Sequence, residues 1–249
     1  MTWPKGSAKA IGRSLDVYYR DAARVVRMDR LNAEFVRAGD LVFDIGAHVG
    51  DRTASFRRLG ARVVAVEPQP AVHRALHLIH GRDPAVHLVA ATVGAEAGVT
   101  RFYVNTANPT VSTAAQELVD AAPGAVAWAD EVWDQEIETP MTTLDALIAQ
   151  HGVPSFLKID VEGFEAEVLR GLHHPIPALS FEFTTLQRDV ALDALQVLGR
   201  LGPYAFNYSL GETHSLVLPT WVQGERISSV IVDLAEDANS GDIYARLCD

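Results

Sequence analysis

Apolar residues along the chain fall into short, nearly continuous runs, separated by stretches where they recur every three or four positions. The runs Leu41–Ile45, Val63–Val66, Val86–Val93, Phe156–Ile159 and Leu179–Phe183 read as strands covered on both faces. Helical spacing runs over Leu15–Val36, Arg52–Leu59, Pro70–His80, Thr142–Gln150, Glu162–Leu172 and Leu186–Leu201. Gly39, Gly60, Gly81 and Gly152 stand where four of these helices should stop. Thr142 reads as a helix cap, with Asp145 three residues on. Val99–Val104 alternates like an edge strand, and Tyr204–Ser209, Ser215–Leu218 and Ile243–Leu247 read as closing strands. Strands alternating with helices predict an α/β fold, with a parallel sheet, helices on both faces and right-handed crossovers.

The 249 residues, 48% hydrophobic, suffice for one core, so 1–249 reads as one domain. Within it, 1–39 is expected to form a helical cover. Residues 105–138 lack clean periodicity and read as an insert with loops and a helix. No apolar run follows Lys5 and Lys9 as in a signal peptide, and none approaches a membrane span. The one cysteine, Cys248, fits a reducing cytoplasm.

Charge narrows the partners. The formal net charge is −11, and between Arg101 and Lys158 there is no Lys or Arg. The same stretch holds eight carboxylates from Glu117 to Asp145. That excludes the basic footprint a nucleic acid needs and disfavours an anionic membrane surface.

The candidate chemistry begins where the first strand ends. Val42-Phe43-Asp44-Ile45-Gly46-Ala47-His48-Val49-Gly50 is a strand feeding a glycine loop and then a helix. Glycines let backbone approach a ligand, and the helix N-terminus offers free N–H groups to a carboxylate. A pyrophosphate site wants G-x-G-x-x-G. Here the glycines are four apart, a spacing better suited to a nucleoside joined to an amino acid. Val66-Glu67-Pro68 puts a carboxylate at the end of the second strand, where it can accept both hydroxyls of a ribose.

At these residues the chain resembles the FkbM-type methyltransferases of the class I superfamily. The resemblance is carried by Phe43–Gly50, Val66-Glu67-Pro68, Thr143-Leu144-Asp145 and Leu157-Lys158-Ile159-Asp160-Val161-Glu162-Gly163, continued by Glu165, Leu169, Gly171 and Phe181-Glu182-Phe183. It covers about residues 40–185, and the Lys-Ile-Asp-Val-Glu-Gly run is its most specific part. It implies a Rossmann-like sheet, mostly parallel with an antiparallel C-terminal strand, and S-adenosylmethionine as cofactor. It also implies O-methylation of a hydroxyl on a sugar, glycolipid or secondary metabolite. Asp44, Gly46, His48, Gly50, Thr53, Glu67, Pro68, Thr92 and Asp160 are the expected cofactor residues. His48 stands where the family usually has Asn. Ala91, Thr92 and Val93 stand where many methyltransferases have an acid near adenine, leaving backbone groups or the Thr92 hydroxyl for that task.

Asp160, Lys158 and Glu182 are the catalytic candidates, and two readings of them stay open. Asp160 is a base or orienting group, or it caps the following helix. Lys158, alone in an apolar strand, needs an acidic partner, Asp160 or Glu182. Glu182 is a base, a cofactor neighbour or that ion-pair partner. Thr53 either touches the methionine end of the cofactor or packs. Trp128 and Trp133 either wall a substrate pocket or anchor the insert. No metal is expected: His73 and His77 share a helix face, but no carboxylate joins them at an evident spacing. The N-terminal helix and the acidic insert are expected to cover the site and select the substrate, so the acceptor should be a small neutral or cationic hydroxyl compound, with a homodimer one open assembly. The rival classes are a nucleotide-sugar or NAD enzyme on the same architecture and a binding module without catalysis.

Overall fold

Burial on both faces explains why the central strands are legible as unbroken apolar runs. In a computed structural model, which describes residues 7–248, β1 (Leu41–Ile45) and β7 (Phe156–Ile159) are buried at every position. Lys5 and the rest of residues 1–6, with Asp249, lie outside the described residues. The main sheet adds β2 (Arg62–Val66), β3 (Val86–Val89), β8 (Ala178–Thr184), β9 (Tyr204–Leu210) and β10 (Ser240–Leu247). Its order is β3-β2-β1-β7-β8-β10-β9, parallel except for β10, which runs antiparallel to both neighbours.

Strand alternation divides the core in two. Phe43, Ile45, Val64 and Val66 face α6 (Leu144–His151), α7 (Glu165–Arg170), α8 (Arg188–Leu201) and α9 (Gly224–Asp233). Val42, Val63 and Ala65 face α2 (Ala22–Asn32), α3 (Asp51–Arg58) and α4 (Pro70–His80).

Several expectations need correction. The helix predicted over Leu15–Val36 is two, α1 (Ser7–Arg20) and α2, because the Asp21 side chain accepts from Arg24 N at 3.0 Å and starts a new helix. The run Val86–Val93 divides at Ala90-Ala91. Its second part, β4 (Thr92–Val93), joins β6 (Gln135–Thr142) and β5 (Gly98–Val104) in a separate three-stranded sheet. Thus Val99–Val104 is an edge strand as expected, but of this smaller sheet, and 135–138 of the insert are strand. Thr142 ends β6, and the cap of α6 is Thr143, whose hydroxyl accepts from Ala146 N at 3.1 Å. Ser215–Leu218 is not a strand: beyond Val217 N bonding Tyr208 O, the Asn207 side chain holds Leu218 N and O. The helix predicted from Glu162 begins at Glu165, because Glu162 and Gly163 have φ of +56° and +88°.

Candidate active site

Strand order reverses between β1 and β7, and open α/β sheets take ligands in the crevice above such a switch point. A cleft of about 810 Å³, counting space open to solvent, lies there. Its floor is the strand ends Asp44–Ile45 and Asp160–Glu162, with the loop Gly46–His48 and the segment Glu67–Gln69.

The loop is welded to its surroundings. Gly46 N and Ala47 N both donate to Val66 O at 2.9 Å, and Asp160 N donates to Ile45 O at 2.9 Å. Gly46 has φ +80°, and a Cβ there would run into the carbonyl oxygen of Asp160. Gly50, at φ +84°, starts α3 and packs against Leu76 and His80 of α4, so it shapes the loop from behind the cleft. His48 takes φ +47°, a region Asn occupies readily and His less so. Its ring stands edge-on to Tyr18 with centroids 5.8 Å apart, and its Nε2 is buried without a partner. Burial lowers its pKa to about 4, so the ring is neutral.

Two carboxylates on the β1–β2 side are met by fixed donors. Glu67 is 3% exposed; Oε2 accepts from His48 N at 3.0 Å and Oε1 from Gln69 N at 2.8 Å. Burial raises its pKa to about 7. Each oxygen keeps a further acceptor site. Asp44 accepts from Thr53 Oγ1 at 2.5 Å, and burial raises it to about 6. Thr53 has no exposed surface and lies under Asp44, off the cleft. Of its two readings, packing is the one the geometry matches. Pro68 and Thr92 line the cleft, but the Thr92 hydroxyl is 2.7 Å from that of Thr139 and already engaged.

The β7–β8 side is built differently. Lys158 is 3% exposed, and its Nζ lies 2.6 Å from Asp242 Oδ1 and 3.2 Å from Asp160 Oδ2. Burial alone would lower its pKa, but Asp160 and Asp242 hold it well above the ordinary lysine value. Asp160 is thus one of the two partners expected, while the tighter one, Asp242, was hidden on β10. Glu182 makes no ion pair with the ammonium; it borders a second, small cavity beside Gly163 and Gln187. Nor does Asp160 cap α7: Val161 N and Gly163 N bond to Glu165 Oε1 at 3.1 and 3.3 Å instead. Oxygens of Asp160, Glu162 and Glu182 all lie within 4.8 Å of one another. Burial pushes Glu162 and Glu182 well above the ordinary carboxylate value.

The cover comes from three places. Tyr18 of α1 lines the cleft, and α1 packs through Ile11 against Val49, Val72 and Ala75. Arg24 bridges Asp51 at 2.9 Å and Glu212 at 2.6 Å, and Arg52 reaches the same two acids at 3.1 and 3.2 Å. Burial alone would raise Glu212, but Arg52, His214 and Arg24 hold it well below the ordinary range. From the insert come Thr110, Ser112 and Ala114, tied down by Gln69 Nε2 donating to Pro109 O at 2.9 Å. Trp128 packs with Leu118 and Ala122, and Trp133 Nε1 donates to Val111 O at 2.9 Å, so both tryptophans anchor the insert. No insert carboxylate lines the cleft: Glu131 serves Asn105 and Asn108, and Asp134 serves Thr106. The acidity of the cleft comes from the strand-end acids, with Asp51 and Glu212, against the single guanidinium of Arg52.

The family model described as "Methyltransferase FkbM domain" matches residues 44–201. The chain is 31% identical over 163 residues to the 31-O-demethyl-FK506 methyltransferase FkbM of Streptomyces tacrolimicus; the match covers 55% of this chain and 61% of that relative. Among solved structures, a TehB-like SAM-dependent methyltransferase from Corynebacterium glutamicum is 12% identical, with 95% of this chain and 94% of that one covered and a TM-score of 0.49. Aeropyrum pernix fibrillarin, solved with natively bound S-adenosyl-L-methionine, is 13% identical, with 85% and 68% covered and a TM-score of 0.46.

Proposed function

The chain belongs to the FkbM family of S-adenosylmethionine-dependent methyltransferases, and from that premise we propose that it methylates a hydroxyl oxygen of a small neutral or cationic acceptor, such as a sugar, glycolipid or secondary metabolite. The observation that carries the reading is the paired chemistry of one cleft. A served, buried carboxylate with spare acceptor sites, Glu67, stands on one side, and an ammonium-held carboxylate, Asp160, on the other.

The residues fit the cofactor. Glu67 can take ribose hydroxyls without giving up its backbone donors. Ile45, Val66, Val93 and Phe102 offer apolar walls to an adenine, and the unpartnered His48 Nε2 leaves one polar atom to be satisfied. S-adenosylmethionine supplies an activated methyl group on a positively charged sulfur. The chain's own part is alignment and a proton. Loop Gly46–His48 and Glu67 fix the donor side, and Tyr18, Thr110 and Ser112 close over the acceptor side. Asp160, partly open to the cleft and held by Lys158, takes the proton of the acceptor hydroxyl. The lone guanidinium among carboxylates favours neutral or cationic acceptors. The name of the Streptomyces relative, a 31-O-demethyl-FK506 methyltransferase, supports oxygen as the acceptor atom. A cytoplasmic location belongs to the same reading, as the lone Cys248 allows; among the described residues no helix is long and apolar enough to cross a membrane.

Calorimetric titration with S-adenosylhomocysteine and, separately, NAD tests the donor side; binding of NAD alone would overturn the reading. Radiolabelled methyl transfer to panels of polyols and amines tests the acceptor atom. O-methyl products are expected, and label found only on nitrogen would refute the hydroxyl assignment.

A further inference from the structure

Asp160, Glu162 and Glu182 come from the ends of two neighbouring strands, β7 and β8, and from the turn after β7. One oxygen of each lies within 4.8 Å of the others. That is close to the spacing of oxygens that share one hard cation at metal–oxygen distances of about 2.0–2.6 Å. Glu162 is 8% exposed, and its carboxylate accepts no hydrogen bond among the described residues. Glu182 Oε2 is fully buried and likewise has no partner. The single nearby ammonium, Lys158, is already engaged by Asp160 and, more closely, by Asp242. One ammonium therefore faces four carboxylates, two of them without a donor among the described residues, while the Arg52 guanidinium at the same cleft is paired with Asp51 and Glu212. Buried carboxylates in native proteins are paired, hydrogen-bonded or bound to metal. Asp160 and Glu162 border the main cleft, while Glu182 borders the smaller cavity behind it, so the cluster forms the wall between the two.

We propose that Asp160, Glu162 and Glu182 form a binding site for one divalent cation of the Mg²⁺ or Mn²⁺ type, opening onto the acceptor side of the cleft. An all-carboxylate donor set selects hard cations over zinc or copper. Three protein ligands leave positions for water and for an acceptor oxygen. A cation there would bring the acceptor hydroxyl to the donor side and ease loss of its proton to Asp160. Acceptors with two adjacent oxygens, a diol or a hydroxy-ketone, would be preferred because they can chelate. This role rests on the O-methylation reading; the cation site itself does not.

The test uses the full chain, stripped with chelator and dialysed, without cofactor or acceptor. Mn²⁺ is titrated alone, and free Mn²⁺ is followed by electron paramagnetic resonance. About one equivalent should bind below ~1 mM and be displaced by Mg²⁺. The double variant Glu162→Gln/Glu182→Gln should bind at least about tenfold more weakly, with its circular dichroism spectrum and melting transition retained. No saturable binding by the unmodified chain, or undiminished binding by the folded double variant, overturns the site. An S-adenosylhomocysteine titration of the same samples separates the two failures. Intact homocysteine-analogue binding without Mn²⁺ binding sinks the cation site alone, whereas its loss in the unmodified chain sinks the methyltransferase reading beneath it.

Discussion

Two groups of carboxylates stand at the same edge of one sheet and have been treated in opposite ways. On the β1–β2 side, Asp44 and Glu67 are each met by fixed donors: the Thr53 hydroxyl for one, the N–H groups of His48 and Gln69 for the other. On the β7–β8 side, Asp160 and Asp242 share one lysine, while Glu162 and Glu182 have no donor. The first group can be buried because backbone and hydroxyl dipoles stabilise it, and it is suited to neutral hydroxyls. The second depends on net positive charge. One side is suited to a ligand held by shape and hydrogen bonds; the other, on the reading proposed above, is organised around cations and protons.

The largest expected effect comes from removing the charge on which the second group depends. Lys158→Met should cost about 3–5 kcal/mol in urea unfolding, since Asp242 and Asp160 would be left without their ammonium; a loss under about 1 kcal/mol would mean the pair is dispensable. Next comes Asp160→Asn. Turnover should fall about 10²–10⁴-fold while affinity for S-adenosylhomocysteine changes less than about threefold; the opposite split would make Asp160 a cofactor residue and erase the division between the sides. Glu67→Ala should weaken S-adenosylhomocysteine by about 1–3 kcal/mol with little change in acceptor KM, because charge-assisted bonds to the ribose are lost.

A smaller effect is set by pH. With the pKa of Glu67 near 7 in the free protein, the carboxylate is mostly protonated at pH 6 and mostly ionised at pH 8. Hydroxyl donors bind the ionised form, so affinity should rise about tenfold over that range, and Glu67→Gln should flatten the profile. Stability carries the opposite sign. A carboxyl raised by burial favours the fold while protonated, so its contribution is complete below the ordinary glutamate value and is lost as pH rises through about 7. The smallest change is His48→Asn, which puts a residue tolerant of left-handed backbone at φ +47° and should alter stability by less than about 1 kcal/mol. A larger loss would show that the Tyr18–His48 contact holds the cover down.

The same contrast explains how much could be read from residues alone. Asp44, Glu67 and Asp160 were legible because each ends an apolar run, and strand ends face the crevice in such a fold. The strands β1 and β7, buried throughout, and β2, buried beyond Arg62, were legible for the same reason. Asp242 was not, since only antiparallel pairing of β10 with β8 sets it opposite Glu182, 60 residues away in sequence by their numbers. Glu162 was visible in the motif but read as the first residue of a helix, and its left-handed backbone is set by tertiary packing. Helix α9 was missed although Ile227, Val230, Ile231 and Leu234 recur at helical spacing and pack against the core. The charge of the insert misled as well: its acids cap and brace the insert itself, and the acidity facing the acceptor arises from strand ends.

One missing atom has a reach beyond its own turn. Gly46 touches the carbonyl oxygen of Asp160 so closely that a methyl side chain has no place there, and Asp160 N is bonded to Ile45 O. The loop that floors the cleft and the carboxylate proposed to receive the proton are therefore parts of one gauge, with its span set by contact. Even an alanine at this position would widen the gauge before it disturbed the core. Such a variant, strained at φ +80° and against a backbone oxygen, should lose stability, and the folded fraction should work at the wrong distance.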